Sequence, residues 1–257
     1  MDSLTLIKVG GKIVEERDSL HKLLDDFCLI AGHKALVHGG GRSATKIAAQ
    51  LGVETKMVDG RRITDQAMLD IVTMVYGGLV NKQIVCALQA RKANALGLTG
   101  ADMNIIRSEK RPVKTIDYGF VGDVKEVDAN LLSALAADGI IPVLAPLTHD
   151  QQGSMLNTNA DVIASEAAKA FSHHFRVRLV FCFEKPGVLS DESDDDSVIS
   201  HITPAIYEEL KEQGIVSGGM IPKLDNAFEA LRYGVSEVII TQASQLLSTG
   251  KGTLITL

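Results

Sequence analysis

The chain has 257 residues and a mass of 27.5 kDa, room for one large α/β domain or two lobes with a cleft between them. Hydrophobic residues make up 46% but aromatics only 4%, with no Trp, which suits aliphatic parallel strands covered by helices. A net charge of −6 argues against a general nucleic-acid or membrane-surface binder, but not against a small anion held by a local field. The opening strand, Leu4-Thr5-Leu6-Ile7-Lys8-Val9, runs apolar up to one lysine and straight into Gly10-Gly11. Lys8 is thereby placed at the carboxyl end of a buried strand, the edge of an open α/β sheet where ligands bind. An ordinary strand end with a solvated lysine would read the same way.

Asp18 or Ser19 is expected to cap a helix with the apolar face Leu20, Leu23, Leu24, Phe27 and Ile30, ended by Gly32. A second strand, Lys34 to His38, enters Gly39-Gly40-Gly41, and Ser43 to Leu51 reads as a helix. Strand, glycine run and helix start form an arrangement in which free backbone N–H groups and a helix dipole hold an anion. It is neither the dinucleotide fingerprint nor a Walker loop, because the required glycine spacing and following Ser/Thr are missing. The basic turn Val58-Asp59-Gly60-Arg61-Arg62-Ile63-Thr64 is a solvated loop or a carboxylate clamp, since guanidinium binds carboxylate in a planar fork. Thr64 is expected to cap a helical stretch to Arg91 with a soft point at Gly77-Gly78. Ala95 to Leu98 reads as a strand, and residues 104 to 127 as an antiparallel hairpin with Gly119 to Val124 in its returning arm. Asp128 opens a helix to Ala137, and Ile140 to Ala145 is the next buried strand.

Asn157-Thr158-Asn159-Ala160-Asp161 precedes an apolar helix, Val162 to Phe171, where Asn159 or Asp161 could serve simply as a cap. Strand Arg178 to Phe183, helix Pro204 to Gln213, helix Gly219 to Tyr233, strand Glu237 to Thr241 and strand Gly252 to Leu257 complete the alternation. The acidic run Asp191 to Asp196 reads as a solvated loop. Cys28, Cys86 and Cys182 lack metal-ligand spacing and read as small buried hydrophobes of a reducing compartment. No signal peptide is recognisable and no apolar run reads as a membrane span, so a soluble cytoplasmic protein is expected.

In this order, Lys8-Val9-Gly10-Gly11, His38-Gly39-Gly40-Gly41, Gly60-Arg61-Arg62-Ile63-Thr64, Met74-Val75-Tyr76-Gly77 with Val80-Asn81-Lys82, Val121-Gly122-Asp123-Val124, Asn157-Thr158-Asn159-Ala160-Asp161 and Gly218-Gly219-Met220-Ile221-Pro222-Lys223 span the chain. Together they resemble the amino-acid kinase superfamily and, within it, the acetylglutamate kinase branch. The resemblance implies a three-layer αβα sandwich with an open, mainly parallel sheet, the carbamate kinase-like fold. It implies a single domain over 1–257, with an N-terminal lobe (1–170) for the acylglutamate and dimerisation and a C-terminal lobe (171–257) for ATP. The implied reaction is transfer of a phosphoryl group from MgATP to the side-chain carboxylate of an N-acylglutamate, an early step of arginine biosynthesis.

By the same resemblance, Lys8 and Lys223 flank the transferring group and Asp161 holds both. Gly10, Gly11, Gly39, Gly40 and Gly41 receive phosphate oxygens. Gly40, Gly41, Arg62, Asn157 and Asn159 bind the acceptor, and Glu184, Gly187, Val188, Leu189, Gly218, Gly219 and Met220 bind the nucleotide. Mg²⁺ is carried on the nucleotide phosphates, so no cluster of metal carboxylates is expected. Rival readings are a superfamily kinase with another carboxylate or carbamate acceptor and a non-catalytic nucleotide or amino-acid sensor.

Three departures from the family pattern stand out. Phe183-Glu184 replaces the usual Thr-Asp before Pro186-Gly187-Val188-Leu189. Arg61 replaces an apolar residue and could favour a dicarboxylic acyl group such as succinyl. The chain starts almost at its first strand, whereas arginine-inhibited members carry an additional N-terminal helix, so a homodimer insensitive to arginine is expected.

Overall fold

The structure, a computed structural model, describes residues 1–58, 60–248 and 250–257; Asp59, within the expected basic turn, and Thr249 lie outside the described residues. Strand β1 (Ser3–Val9) is followed by α1 (Gly11–Glu15), α2 (Arg17–Leu29), β2 (His33–His38) and α3 (Gly41–Gln50). A short hairpin, β3 (Met57–Val58) and β4 (Arg61–Arg62), leads into α4 (Gln66–Val72), a π-helical segment (Thr73–Val80) and α5 (Asn81–Gln89). Then come β5 (Ala95–Leu98), β6 (Ile106–Lys110), β7 (Gly122–Val127), α6 (Ala129–Ala137), β8 (Ile141–Leu144), β9 (Leu147–His149), β10 (Met155–Asn157) and α7 (Ala160–Ser172). The chain closes with β11 (Arg176–Phe183), β12 (His201–Ile202), α8 (Pro204–Glu212), α9 (Met220–Arg232), β13 (Glu237–Gln242) and β14 (Thr253–Ile255).

Eight strands form one sheet in the order β12-β14-β13-β11-β1-β2-β8-β5, parallel at every junction except β13–β14. The final strand therefore reverses the expected βα alternation. Side-chain alternation along β1 explains the layers. Leu4 and Leu6 enter the core shared with Ile163, Ala167 and Phe171 of α7 and Leu224 and Phe228 of α9. Ile7 and Val9 enter the opposite core, with Leu23, Leu24 and Phe27 of α2 and Val72, Ile84 and Leu88 of the long helix. The result is the three-layer αβα sandwich. Each Leu or Phe buried this way contributes about 1.5–3 kcal/mol before entropy is counted. By the same parity Lys8 lies on the face covered by α7 and α9. β1 and β11 are hydrogen-bonded neighbours, so the two expected lobes share one continuous sheet.

Several local expectations are corrected. Asp18 and Ser19 do not cap α2; Glu16 occupies that position, and Ser19 Oγ donates to its carboxylate at 3.1 Å. Thr64 does not cap α4. Asp65 does, accepting from Met68 N–H at 2.9 Å, because the Thr64 backbone is already bonded to Tyr118 and Phe120. The soft point at Gly77-Gly78 is the π-helical segment, a wider turn common at functional sites. The 24-residue run Gln66–Gln89 is, contrary to the sequence reading, long and apolar enough to cross a bilayer by length and composition. Its Met68, Ile71, Val72, Val80, Ile84 and Leu88 side chains instead pack into the core.

The insert pairs β6 with β7 and also recruits a hairpin that the sequence reading lacked, β9 with β10, to form a four-stranded sheet. The acidic run is a loop in which Asp195 pairs with Lys185 at 2.7 Å. Cys86 is exposed and Cys28 half-buried, so only Cys182 is the buried hydrophobe expected of all three cysteines.

Candidate active site

The site forms where the strand order turns about β1, outside the carboxyl ends of β1 and β2. Gly10 N–H donates to Cys182 O and Gly39 N–H to Val9 O, both at 2.9 Å, which locks the two glycine turns side by side. A Cβ on Gly39 would lie 3.0 Å from Gly11 N, and one on Gly40 would lie 2.7 Å from the Tyr76 ring. A Cβ on Gly11 would stand 3.8 Å from Gly40 N and 3.9 Å from Gly41 N, in the space between those amides. The first N–H groups of α3 have no partner within the helix and open into this gap, as at any helix start. Gly11, Gly40 and Gly41 thus make a concave surface of bare amides suited to phosphate oxygens.

His38 controls the aim of that surface. Its Nδ1 lies 2.8 Å from Gly39 O and its Nε2 lies 3.2 Å from Asn81 Nδ2. Asn81 Oδ1 accepts from Lys82 Nζ at 3.2 Å and its amide also donates to Val143 O at 2.9 Å, so the amide faces His38 as a donor. Nε2 must accept, Nδ1 carries the proton, and the Gly39 carbonyl is held toward the ring. Because the peptide is planar and trans, Gly40 N–H then points the opposite way.

His38 is fully buried, and desolvation lowers its pKa to about 4 against a weaker opposing effect of the Gly39 hydrogen bond. A histidine depressed below its unfolded value of about 6.5 stays neutral in the fold while the unfolded chain takes up a proton. Stability is therefore lost as pH falls from about 6.5 toward 4, by up to about 3 kcal/mol from this group. His38→Asn, which keeps a donor but no titration, is expected to flatten that part of the unfolding free-energy profile measured in urea. Parallel profiles for the two proteins would remove the inference.

Lys8 comes from the end of β1, Asp161 from the first turn of α7 and Lys223 from the first turn of α9. Lys8 Nζ lies 2.7 Å from Asp161 Oδ1 and Lys223 Nζ lies 3.6 Å from Oδ2. Burial alone would raise the Asp161 carboxyl, but the two ammonium groups more than offset it and hold it below the usual carboxylate range. Asn159, not Asp161, caps α7, accepting from Asp161 N–H at 2.7 Å and Val162 N–H at 3.3 Å. The Asp161 carboxylate is thereby free for the lysines. Cys182 is pushed up to about 12 by burial, so it remains a thiol beside Lys8 and offers no nucleophile.

On the other side of the glycine turns is a cavity of about 210 Å³, walled by Gly39 to Gly41, Arg61, Arg62, Tyr76, Arg111 and the Asn157 to Ala160 segment. Arg62 is buried and donates to Gly41 O at 2.8 Å, Thr45 Oγ1 at 2.9 Å and Thr55 Oγ1 at 3.2 Å. These acceptors are neutral, and among the described residues no carboxylate compensates its charge. Asn157, on the cavity wall, donates from Nδ2 to Thr64 Oγ1 at 3.0 Å. Arg111 pairs with Asp123, its Nε 3.1 Å from Oδ1.

Arg111 and Tyr76 went unrecognised as site residues in the sequence. Tyr76 could have been found from its apolar spacing next to Gly77, whereas Arg111 depends on the β6–β7 register, which includes a bulge after Arg107. Burial pushes the Tyr76 phenol up, and the adjacent Arg62 guanidinium only partly offsets that.

Of the expected nucleotide residues, Gly187, Val188 and Leu189 are buried, whereas Glu184, Gly218 and Gly219 are exposed. Val188 is buried, its N–H donates to Thr253 Oγ1 at 2.8 Å and its carbonyl accepts from Ile199 at 2.8 Å. Leu189 is buried as well, and a Cβ on Gly187 would meet Thr253 Oγ1 at 2.7 Å. Glu184 is exposed. Gly218 has a left-handed φ of 51° and, with Gly219, turns the chain into Met220 at the start of α9.

With two lysines sharing one carboxylate beside bare glycine amides at the edge of an open αβα sheet, the chain belongs to the amino acid kinase family. A family model of that description matches residues 3–242. The acetylglutamate kinase of Parabacteroides distasonis is 67% identical over 253 residues, covering 98% of this chain and 99% of its own. That of Bacteroides thetaiotaomicron is 68% identical over 245 residues, 95% of each. A carbamate kinase from Giardia lamblia, 15% identical, superposes with a TM-score of 0.69 over 98% of both chains, which places the fold as carbamate kinase-like.

Proposed function

We propose that this chain transfers the γ-phosphoryl group of ATP to the side-chain carboxylate of N-acetyl-L-glutamate, giving an acyl phosphate, as a step of arginine biosynthesis. The observation that carries this reading is the meeting of Lys8 and Lys223 on Asp161 beside a cavity walled by Arg62. Bringing a carboxylate onto a polyphosphate is a problem of charge, and alignment with neutralisation supplies most of the rate. Lys8 and Lys223 draw charge from the transferring group and the leaving diphosphate, while Asp161 keeps both ammonium groups oriented. The free amides of Gly11, Gly40 and Gly41 take the phosphate oxygens; those of Gly10 and Gly39, expected to do the same, are already bonded to Cys182 O and Val9 O and instead brace the two turns. Arg62, Asn157 and Asn159 hold the acceptor's amino-acid end. Glu184, Gly187, Val188, Leu189, Gly218, Gly219 and Met220 shape the nucleotide side.

Among the described residues no three His, Cys, Asp or Glu side chains converge as a metal site, and both Asp161 oxygens already face lysines. This donor set fits a Mg²⁺ brought on the nucleotide phosphates rather than one held by the protein. The exposed apolar Met74 and Leu79 of the π-helical segment and Leu96 of edge strand β5 support a homodimer through that face. We place the enzyme in the cytoplasm.

Hydroxylamine traps acyl phosphates as hydroxamates. ADP release matched by hydroxamate is expected with N-acylated glutamates and not with free glutamate or carbamate. No hydroxamate with any N-acylglutamate would overturn the reading. Arg61 lies exposed on the cavity wall and supports a dicarboxylic acyl group as a second acceptor. In the same assay Arg61→Ala should lower the succinyl-to-acetyl activity ratio about tenfold, the scale of one lost charged hydrogen bond. An unchanged ratio would remove that role.

A further inference from the structure

Phe183 ends β11 and lies beside both lysines of the site. Its ring centroid lies 4.6 Å from Lys8 Nζ and 4.8 Å from Lys223 Nζ. The ring is fixed from below by parallel stacking on Phe181, with centroids 6.1 Å apart and an interplanar angle of 2°. A Cβ added at Gly10 would stand 3.5 Å from Phe183 Cδ1, so the glycine turn passes close to the ring edge.

We propose that Phe183 is a positioning residue whose ring holds both lysine ammonium groups by cation–π attraction and so sets the gap that the transferring phosphoryl group enters. The proposal rests on the catalytic reading of Lys8 and Lys223 given above. One carboxylate, Asp161, balances only one of the two positive charges, and the ammonium groups repel each other. Both distances fall inside the roughly 6 Å over which a ring quadrupole attracts a cation. The ring compensates charge without an acceptor oxygen, so the ammonium N–H groups not bound to Asp161 remain available to phosphoryl oxygens. A threonine hydroxyl at this position could accept one of those N–H groups, whereas a phenyl ring leaves it for the substrate.

The competing explanation is simple packing, because Phe183 also stacks on Phe181. The test therefore holds volume constant and varies the ring's charge distribution. Phenylalanine at position 183 is replaced site-specifically by its mono-, di- and trifluorinated analogues, alongside Phe183→Leu. Lys8→Ala and Lys223→Ala are controls, and kcat, both KM values and the thermal midpoint are measured. Expected is a stepwise fall in kcat with each fluorine, reaching about tenfold in the trifluoro variant at an unchanged midpoint. Phe183→Leu should lose about as much kcat, together with a lower midpoint from the lost stacking on Phe181. A kcat that is flat across the fluorinated series overturns the proposal, and with inactive lysine controls it leaves the catalytic reading standing. Lysine controls that turn over normally overturn both.

Discussion

Lys8→Ala and Lys223→Ala are each expected to lower kcat by about 10²–10³-fold, the effect of removing one preorganised electrostatic partner from a developing charge. Nucleotide binding, followed by calorimetry, should weaken far less, because the Gly11, Gly40 and Gly41 amides remain. Folding should also survive. Asp161 touches both lysines, at 2.7 and 3.6 Å, so either variant leaves the buried carboxylate with one partner. Asp161→Ala is different. It leaves two ammonium groups facing each other without a carboxylate, and loss of one side of a buried ion pair costs about 3–5 kcal/mol. A lysine variant with unchanged kcat and reduced nucleotide affinity would reassign that lysine to ground-state binding.

The second large effect is expected at Arg62. Arg62→Ala should raise the acceptor KM so that kcat/KM falls about 10²-fold, near the 1.5–3 kcal/mol carried by a charge-assisted hydrogen bond. Arg62→Lys should not restore it, since an ammonium group cannot reproduce the planar two-point grip while also reaching Gly41 O, Thr45 Oγ1 and Thr55 Oγ1. The ATP KM serves as the internal control. A parallel rise in both constants would mean that Arg62 acts by bracing the Gly41 turn rather than by holding the acceptor.

Much of the fold was legible because strong local signals agreed with one another. The apolar runs ending in Gly10-Gly11 and Gly39 to Gly41 marked two strand ends, with Lys8 at the first, and the structure pairs those strands side by side. Asp128 and Asn159 cap their helices as their positions implied.

The misses share a physical cause, which is that tertiary pairing decided between local options. Thr64 lost its capping role because its backbone bridges to Gly119, leaving the task to Asp65. β9 and β10 are three residues each and carry no period long enough to read. Arg111 reaches the cavity wall only through a bulged hairpin register. Phe183 was visible as a departure from the family pattern, but its place beside two lysines depends on where α9 delivers Lys223.

The most direct test of the convergence of Lys8 and Lys223 is a crystal structure with ADP, Mg²⁺, N-acetylglutamate and a planar aluminium fluoride in place of the transferring phosphoryl group. Both Nζ atoms should lie at hydrogen-bond distance, about 2.7–3.2 Å, from ligand atoms on or next to the fluoride plane. The acceptor carboxylate should stand in line with ADP across that plane. Either lysine turned away from the plane, with the acceptor still bound in the Arg62 cavity, would contradict the account.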